Sequence, residues 1–351
     1  MHVCRGDERS RSRRATAQGE YMIPRITDLQ DSAPRLDEHG IRFAWITGAH
    51  GFIGRYLARI ACSQGVLVAG IGHGAWASRE ALRDGVRYWL NSDITVSSLI
   101  HLAQLSGLPD VVFHLAGGSS VAMAAANPLE DFHRTVVATA NLLEWLRQHS
   151  PETRLVAVSS AAVYGAGHEG PISETAHMSP VSPYGFHKLM MEESCRSYAT
   201  SYGLRTVIPR PFSVYGPGLR KQLLWDLCEK MRAGREVELG GTGEERRDWV
   251  HVSDLALCLI RVAQRAQCTA PVVNVGTGVS SSVRAIVERF ARVWARDAAD
   301  VPIVFSGRSR PGDPVSLVPN VDRMRSWGLK PSVTVADGVE EYIEWYRSNN
   351  G

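Results

Sequence analysis

Three things are scarce in this sequence: long apolar runs, paired cysteines and net charge. Nowhere in its 351 residues is there a stretch approaching the ~18 apolar residues of a membrane span, so no membrane partner is expected. Its six cysteines, Cys4, Cys62, Cys195, Cys228, Cys258 and Cys268, form no C-x-x-C pair and no Cys/His spacing of a zinc site. No metal is expected, and scattered single thiols suit a reducing cytoplasm. The formal charge is only +3, and five Arg against Asp7 and Glu8 in the first fourteen residues account for all of it. The rest balances to zero, which excludes the basic excess of a nucleic-acid binder. No repeat of fixed period is visible. With 44% hydrophobic and 21% charged residues, the composition is that of a globular enzyme rather than a disordered or collagenous chain.

What is present is length and alternation. The chain is long enough for one large α/β domain or two ordinary ones. Residues 1–40 are polar, carry Pro24 and Pro34 and lack periodicity. They read as a disordered tail, with a targeting peptide or a start at Met22 as alternatives. Strands are expected at 42–47, 66–71, 110–116, 154–160, 204–211 and 271–278. Helices are expected at 55–64, 128–148, 182–203, 251–266, 280–296 and 335–347, with Ser253 or Asp254 capping the fourth. Strands alternating with helices imply a doubly wound parallel sheet of Rossmann type. Residues 41–215 form this domain. Residues 216–349 form mainly a smaller substrate-binding part, from which 250–276 returns to the sheet. The segments around 213–221 and 238–249, rich in glycine and charge, read as loops.

Chemistry concentrates at three places. The first is Gly48-Ala49-His50-Gly51-Phe52-Ile53-Gly54, between the first strand and the first helix. Its glycines permit close approach to a pyrophosphate, and the helix N-terminus offers free N–H groups and a positive dipole end. The second is the end of the next strand, Ile71-Gly72-His73-Gly74, where a dinucleotide site usually carries an acid for the adenosine ribose. None is present, so a 2′-phosphate is tolerated. His73 or Arg79 can pair with it, and this favours NADP over NAD. Asp93-Ile94 follows a third strand and can reach the adenine. The third place is Tyr184-Gly185-Phe186-His187-Lys188, with Tyr and Lys four apart on one helical face. A tyrosine titrates near ~10, and an adjacent ammonium lowers that value toward the range of a useful base. Ser160 ends a strand at the ligand-binding edge of such a sheet, where its hydroxyl can bond the reacting oxygen.

Eight ordered segments carry a resemblance: TGAHGFIG (47–54), FHLAGGSSV (113–121), VSSAAVYG (158–165), SPYGFHK (182–188), RPFSVYGPG (210–218), RRDWVHVSD (246–254), NVGTG (274–278) and RPGDP (310–314). Over about residues 42–347 the sequence resembles the extended short-chain dehydrogenase/reductase family, in its nucleotide-sugar epimerase/dehydratase branch. The resemblance implies Ser160, Tyr184 and Lys188 as the catalytic triad. It implies Gly48, Gly51, Phe52, Ile53 and Gly54 at the cofactor diphosphate. Leu115, Ala116 and Gly117 match the strand end beside the cofactor. Arg247 and Arg310 match arginines holding the sugar nucleotide's diphosphate, Asp313 an acid near the nucleotide ribose, and Ser119 and Ser213 positions near the sugar. A homodimer through the Tyr/Lys helix is also implied, with which Leu189-Met190-Met191 is compatible.

Departures narrow the activity. The Asp-Glu pair of the branch's dehydratases is Ala161-Ala162 here, and alanine transfers no proton. The usual Asn of the helix after the fourth strand is Thr135, and that of the R-x-F-N segment is Ser213. The expected activity is therefore a cytoplasmic NAD(P)-dependent nucleotide-sugar 4-epimerase acting through a transient 4-keto sugar. An NADPH-dependent reductase of a 4-keto-6-deoxy nucleotide sugar is the alternative, and a non-catalytic dinucleotide-binding scaffold the third reading. The loops of 216–245 are expected to select the base.

Overall fold

A computed structural model describes residues 40–234, 236–295, 302–308 and 314–350. The tail expected at 1–40 therefore lies outside the described residues, Gly40 excepted. Six strands open the chain's main sheet: β1 (Phe43–Thr47), β2 (Leu67–Gly72), β3 (Tyr88–Asn91), β4 (Val111–His114), β5 (Arg154–Ala157) and β6 (Thr206–Pro211). A seventh strand, Val272–Val275, completes it. The spatial order is Val272–Val275, β6, β5, β4, β1, β2, β3, and every pairing is parallel. The chain leaves β1 toward one edge and restarts at β4 toward the other, so a crevice opens where the direction reverses. Strands rich in Val, Ile, Ala and Leu suit a sheet covered on both faces.

Helices α1 (Phe52–Ser63), α2 (Ser78–Arg83) and α3 (Val96–Ser106) separate the first four strands. The helix expected at 128–148 is present as one unbroken run, Pro128–His149, with a π segment inside it. After α4 (Val121–Ala126) and α5 (Pro128–Phe132), residues His133–Val137 form a π-turn that leads into α6 (Ala138–His149). The wider turn delivers Thr135, fully buried, onto the loop after β4, where its Oγ1 accepts the Gly118 N–H at 2.8 Å. α7 (Pro183–Tyr202) begins at the Ser182 cap, whose hydroxyl accepts the Gly185 N–H, with Pro183 in its first turn, and ends at Gly203.

One core lies between the sheet and α1, joined by the helix Val252–Val262; the other lies under α3, α6 and α7. A third apolar cluster belongs to the C-terminal part, where α8 (Gln222–Arg232), α10 (Val283–Trp294) and α12 (Val335–Asn350) enclose Tyr215, Trp249, Phe290, Tyr342 and Tyr346. Between them run α9 (Val252–Val262) and α11 (Asp322–Ser326). α8 was not anticipated because glycine-rich segments flank it, although Leu224, Leu227, Cys228 and Met231 have helical spacing. The cap of α9 is His251, whose ring accepts the Ser253 N–H, not Ser253 or Asp254. The Asp254 carboxylate instead accepts bonds from Ser332 and Val333.

Candidate active site

The loop after β1 is a main-chain cradle. Gly51 precedes α1 with no side-chain cap, so the N–H groups of the first turn, at Phe52 and Ile53, are free for an anion. Gly54 must be glycine: a Cβ there would stand 2.4 Å from the Gly48 carbonyl oxygen. This cradle fits a dinucleotide's diphosphate.

At the end of β2 the missing acid has a conformational cause. Gly72 has φ +153°, and a Cβ would meet Gly48 N and Cα at 3.3 Å. An Asp or Glu is strained in that backbone. His73 Nε2 lies 2.8 Å from Asp93 Oδ1, so these two residues, expected separately at ribose and adenine, meet each other. Ile94 is buried just beyond, and Arg79 is exposed in the first turn of α2. His50 fills the space under Gly74 and packs on Trp76 at 4.9 Å between ring centres, with the Arg55 guanidinium over the other ring. Burial, and next the Arg55 charge, lower the His50 pKa.

The strand end Leu115-Ala116-Gly117 hangs on one buried chain of hydrogen bonds. Thr47 Oγ1 accepts the N–H groups of Leu115 and Ala116, both at 3.1 Å. Its own proton must then go to His114 Nδ1 at 2.8 Å. His114 Nε2 in turn donates to Thr139 Oγ1 at 2.9 Å, and that hydroxyl donates to the Thr135 carbonyl. Burial, then the Lys188 charge, bring the His114 pKa down to about 3, which keeps this chain neutral.

Ser160, Tyr184 and Lys188 converge at this edge. Ser160 caps the short turn Ala161–Val163, accepting the Ala162 N–H, and its hydroxyl faces Tyr184 closely enough to oppose the rise of that phenol's pKa. Lys188 is buried and donates to the Val158 carbonyl at 2.9 Å. A Cβ on Gly117 would lie 3.4 Å from its ammonium. Burial lowers the Lys188 pKa to about 8, while Asp131 and Glu192 act in the opposite sense. The expected depression of Tyr184 is not found in the protein alone. Burial pushes that phenol up, Ser160 pulls it down and Asp131 adds to the rise. The ammonium is engaged with the Val158 carbonyl.

Beneath the triad lies an ion pair that sequence reading missed. Arg210 and Glu192 are 1% and 0% exposed and meet through two bonds, Nε to Oε1 at 2.8 Å and Nη2 to Oε2 at 2.6 Å. Ser159 donates to Glu192, Arg210 to the Tyr164 hydroxyl, and Tyr164 to Asn274. Only the unbroken apolar run on either side of Arg210 in β6 could have hinted at its burial.

Across the crevice, Arg247 donates to the Arg246 and Pro314 carbonyls. Arg310 and Asp313 lie outside the described residues. Ser213 is half-buried, its N–H bonded to the Asp248 carbonyl, in a parallel pair of Ser213–Tyr215 with Trp249–His251. Ser119 offers its carbonyl to Lys221 Nζ at 2.7 Å, which brings the start of α8 over the end of β4. Asp248, beside Arg247, accepts from the N–H groups of Thr277, Gly278 and Val279 and from the Thr277 hydroxyl. Neither Lys221 nor Asp248 was singled out from sequence. Asp248 had a signal in its place within RRDW.

Residues 44–276 match the NAD dependent epimerase/dehydratase family. The chain is 31% identical over 346 residues to a UDP-glucose 4-epimerase of Azospirillum brasilense, covering 92% of this chain and 95% of that one. MoeE5, solved in complex with UDP-glucuronic acid and NAD, has a TM-score of 0.74 and 29% identity over 87% of this chain and 99% of its own. The UDP-glucose 4-epimerase of Thermotoga maritima, 24% identical over 88% of this chain and 100% of its own, shares the fold with a TM-score of 0.79. This chain belongs to the NAD dependent epimerase/dehydratase family.

Proposed function

We propose that the protein is a nucleotide-sugar 4-epimerase acting on a UDP-sugar. The observation that carries the reading is the meeting of Ser160, Tyr184 and Lys188 at the strand ends, with Ala161 and Ala162 where elimination of water would need acids. The names of the relatives support the choice of position and base. A nicotinamide dinucleotide, when bound, supplies reversible hydride acceptance at the sugar carbon. Tyr184 takes and returns the proton of the C4 hydroxyl, and Ser160 hydrogen-bonds that oxygen. Lys188 steadies the site through its bond to the Val158 carbonyl. The helix N-terminus after Gly51 holds the cofactor diphosphate, and Arg247 and Arg310 hold that of the substrate.

The finer cofactor reading is NADP over NAD, since the strained backbone at Gly72 bars the ribose acid. Comparing the affinities of NADPH and NADH by fluorescence decides it; tighter NADH binding overturns it. The same feature favours the second reading, a 4-keto-sugar reductase. Val121, Met123 and Leu129 on α4 and α5 and Phe186 and Met190 on α7 are exposed, which supports a homodimer, to be checked by light scattering. A cytoplasmic setting rests on the unpaired thiols; among the described residues no helix is long and apolar enough to cross a membrane.

The functional test is a panel of UDP-, GDP-, CDP- and dTDP-sugars with product NMR. A C4 epimer formed without net change in reduced cofactor supports the epimerase. Mole-for-mole oxidation of NADPH supports the reductase, and cofactor binding without any turnover leaves the scaffold.

A further inference from the structure

His187 stands one residue before Lys188 on α7, and Asp131 stands near the end of α5. His187 Nδ1 lies 2.6 Å from Asp131 Oδ2. The two side chains are only 11% and 5% exposed. The Phe132 ring packs edge-on against the imidazole at 5.5 Å. The other carboxylate oxygen occupies the flank of the loop after β4, where a Cβ on Gly118 would stand 1.7 Å from it. Asp131 is thus wedged between the Gly117–Gly118 turn and the helix of Tyr184 and Lys188.

A buried carboxylate is costly unless paired, and His187 is the partner it has. Its charge also reaches both catalytic groups, opposing release of the Tyr184 proton. The other charged groups facing α7 are engaged elsewhere. On α5 and the π-turn, Glu130 pairs with Arg134 at the surface, and His133 is exposed. On α6, Glu144 and Arg147 pair with each other, and Glu144 accepts from the hydroxyl of Tyr198, about four turns from Tyr184. On β6, Arg210 is locked to Glu192, which also binds Arg196. Among the described residues, α4 and the Ala161–Val163 turn contribute no charge.

We propose that Asp131 and His187 form a positioning pair for the catalytic face: the carboxylate fixes the Gly117–Gly118 turn against α7, and the imidazole holds its charge off Tyr184. This rests on the proton-transfer role of Tyr184 proposed above.

The test reads the phenol directly, without a substrate. Tyrosinate absorbance is titrated in the full-length, dinucleotide-loaded protein, and the Tyr184→Phe titration is subtracted. His187→Asn is expected to move the Tyr184 titration to higher pH, and Asp131→Asn to lower pH, each by about half a unit to one unit. The double variant should follow Asp131→Asn. A merely structural pair gives no such opposed shifts. Shifts of the same sign, or unmoved titrations in variants folded by circular dichroism, overturn the proposal. If His187→Asn does not fold, Asp131→Asn and the double variant decide. Absence of turnover on every nucleotide sugar would defeat the epimerase reading and leave this titration interpretable.

Discussion

The two walls of the crevice are held by different means. On the sheet side the ligand-facing surface is mostly main chain: the Gly48–Gly54 turn, the uncapped start of α1 and the strand end Leu115–Gly117. On the C-terminal side the surface is loop, held by carboxylates, of which Asp248 and Asp254 are buried and Glu245 is half-buried. Asp248 gathers the 277–279 turn, Glu245 the 242–243 turn, and Asp254 the 332–333 segment. A main-chain wall needs glycines at fixed spacing and tolerates little change. A carboxylate-stapled wall can alter its loops between staples, so one chemistry can be fitted to different sugar nucleotides.

That contrast can be broken by mutation. Glu192→Gln should cost the most stability, about 3–5 kcal/mol, because Arg210 keeps a buried charge without its counter-ion; denaturant unfolding measures it. Tyr184→Phe should lose at least ~10²-fold in turnover, with cofactor binding retained. Lys188 gives a pH signature. Its folded pKa of about 8 lies below the ordinary 10.5, so the unfolded chain binds more protons between those values. Its contribution to stability therefore rises with pH through that window, and Lys188→Met should remove the rise. Asp248→Asn, a staple of the loop wall, should cost about 1–3 kcal/mol and raise the substrate KM more than it lowers kcat, as titration against nucleotide sugar will show. Asp93→Asn should change stability by at most ~1 kcal/mol, since the His73 pair is exposed, while altering dinucleotide affinity. A loop-wall variant that abolished cofactor binding would erase the distinction between the walls.

The main-chain wall was also the legible one. Strand, glycine turn and helix follow each other within a dozen residues, and each carries a local signal: an apolar run, glycine spacing, helical periodicity. The α7 boundaries were equally readable, from Ser182-Pro183 at one end and Gly203 at the other. The π-turn at His133–Val137 was not, because its residues have ordinary helical propensities and only the need to bring Thr135 to Gly118 distinguishes it. The backbone at Gly72 was half legible: the missing acid shows in sequence, but the positive φ and the closeness of Gly48, contributed by a different strand-turn, do not. Nothing in the local sequence marks Asp131 or Glu192 as buried, and Asp248 is marked only by its place in RRDW. Their burial depends on partners 18 to 56 residues away, a distance at which local pattern carries no information.

The proposed mechanism stands on Tyr184, with Ser160 and Lys188 beside it, taking and returning the proton of the C4 hydroxyl, while a bound nicotinamide would take the C4 hydride and return it to the opposite face. Turnover of a UDP-sugar deuterated at C4 tests this most directly. The expected product has an inverted C4 that keeps its deuterium, with no net oxidation or reduction of cofactor and no product from Tyr184→Phe on the same timescale. Loss of the deuterium to solvent, or cofactor consumed mole for mole, would contradict it.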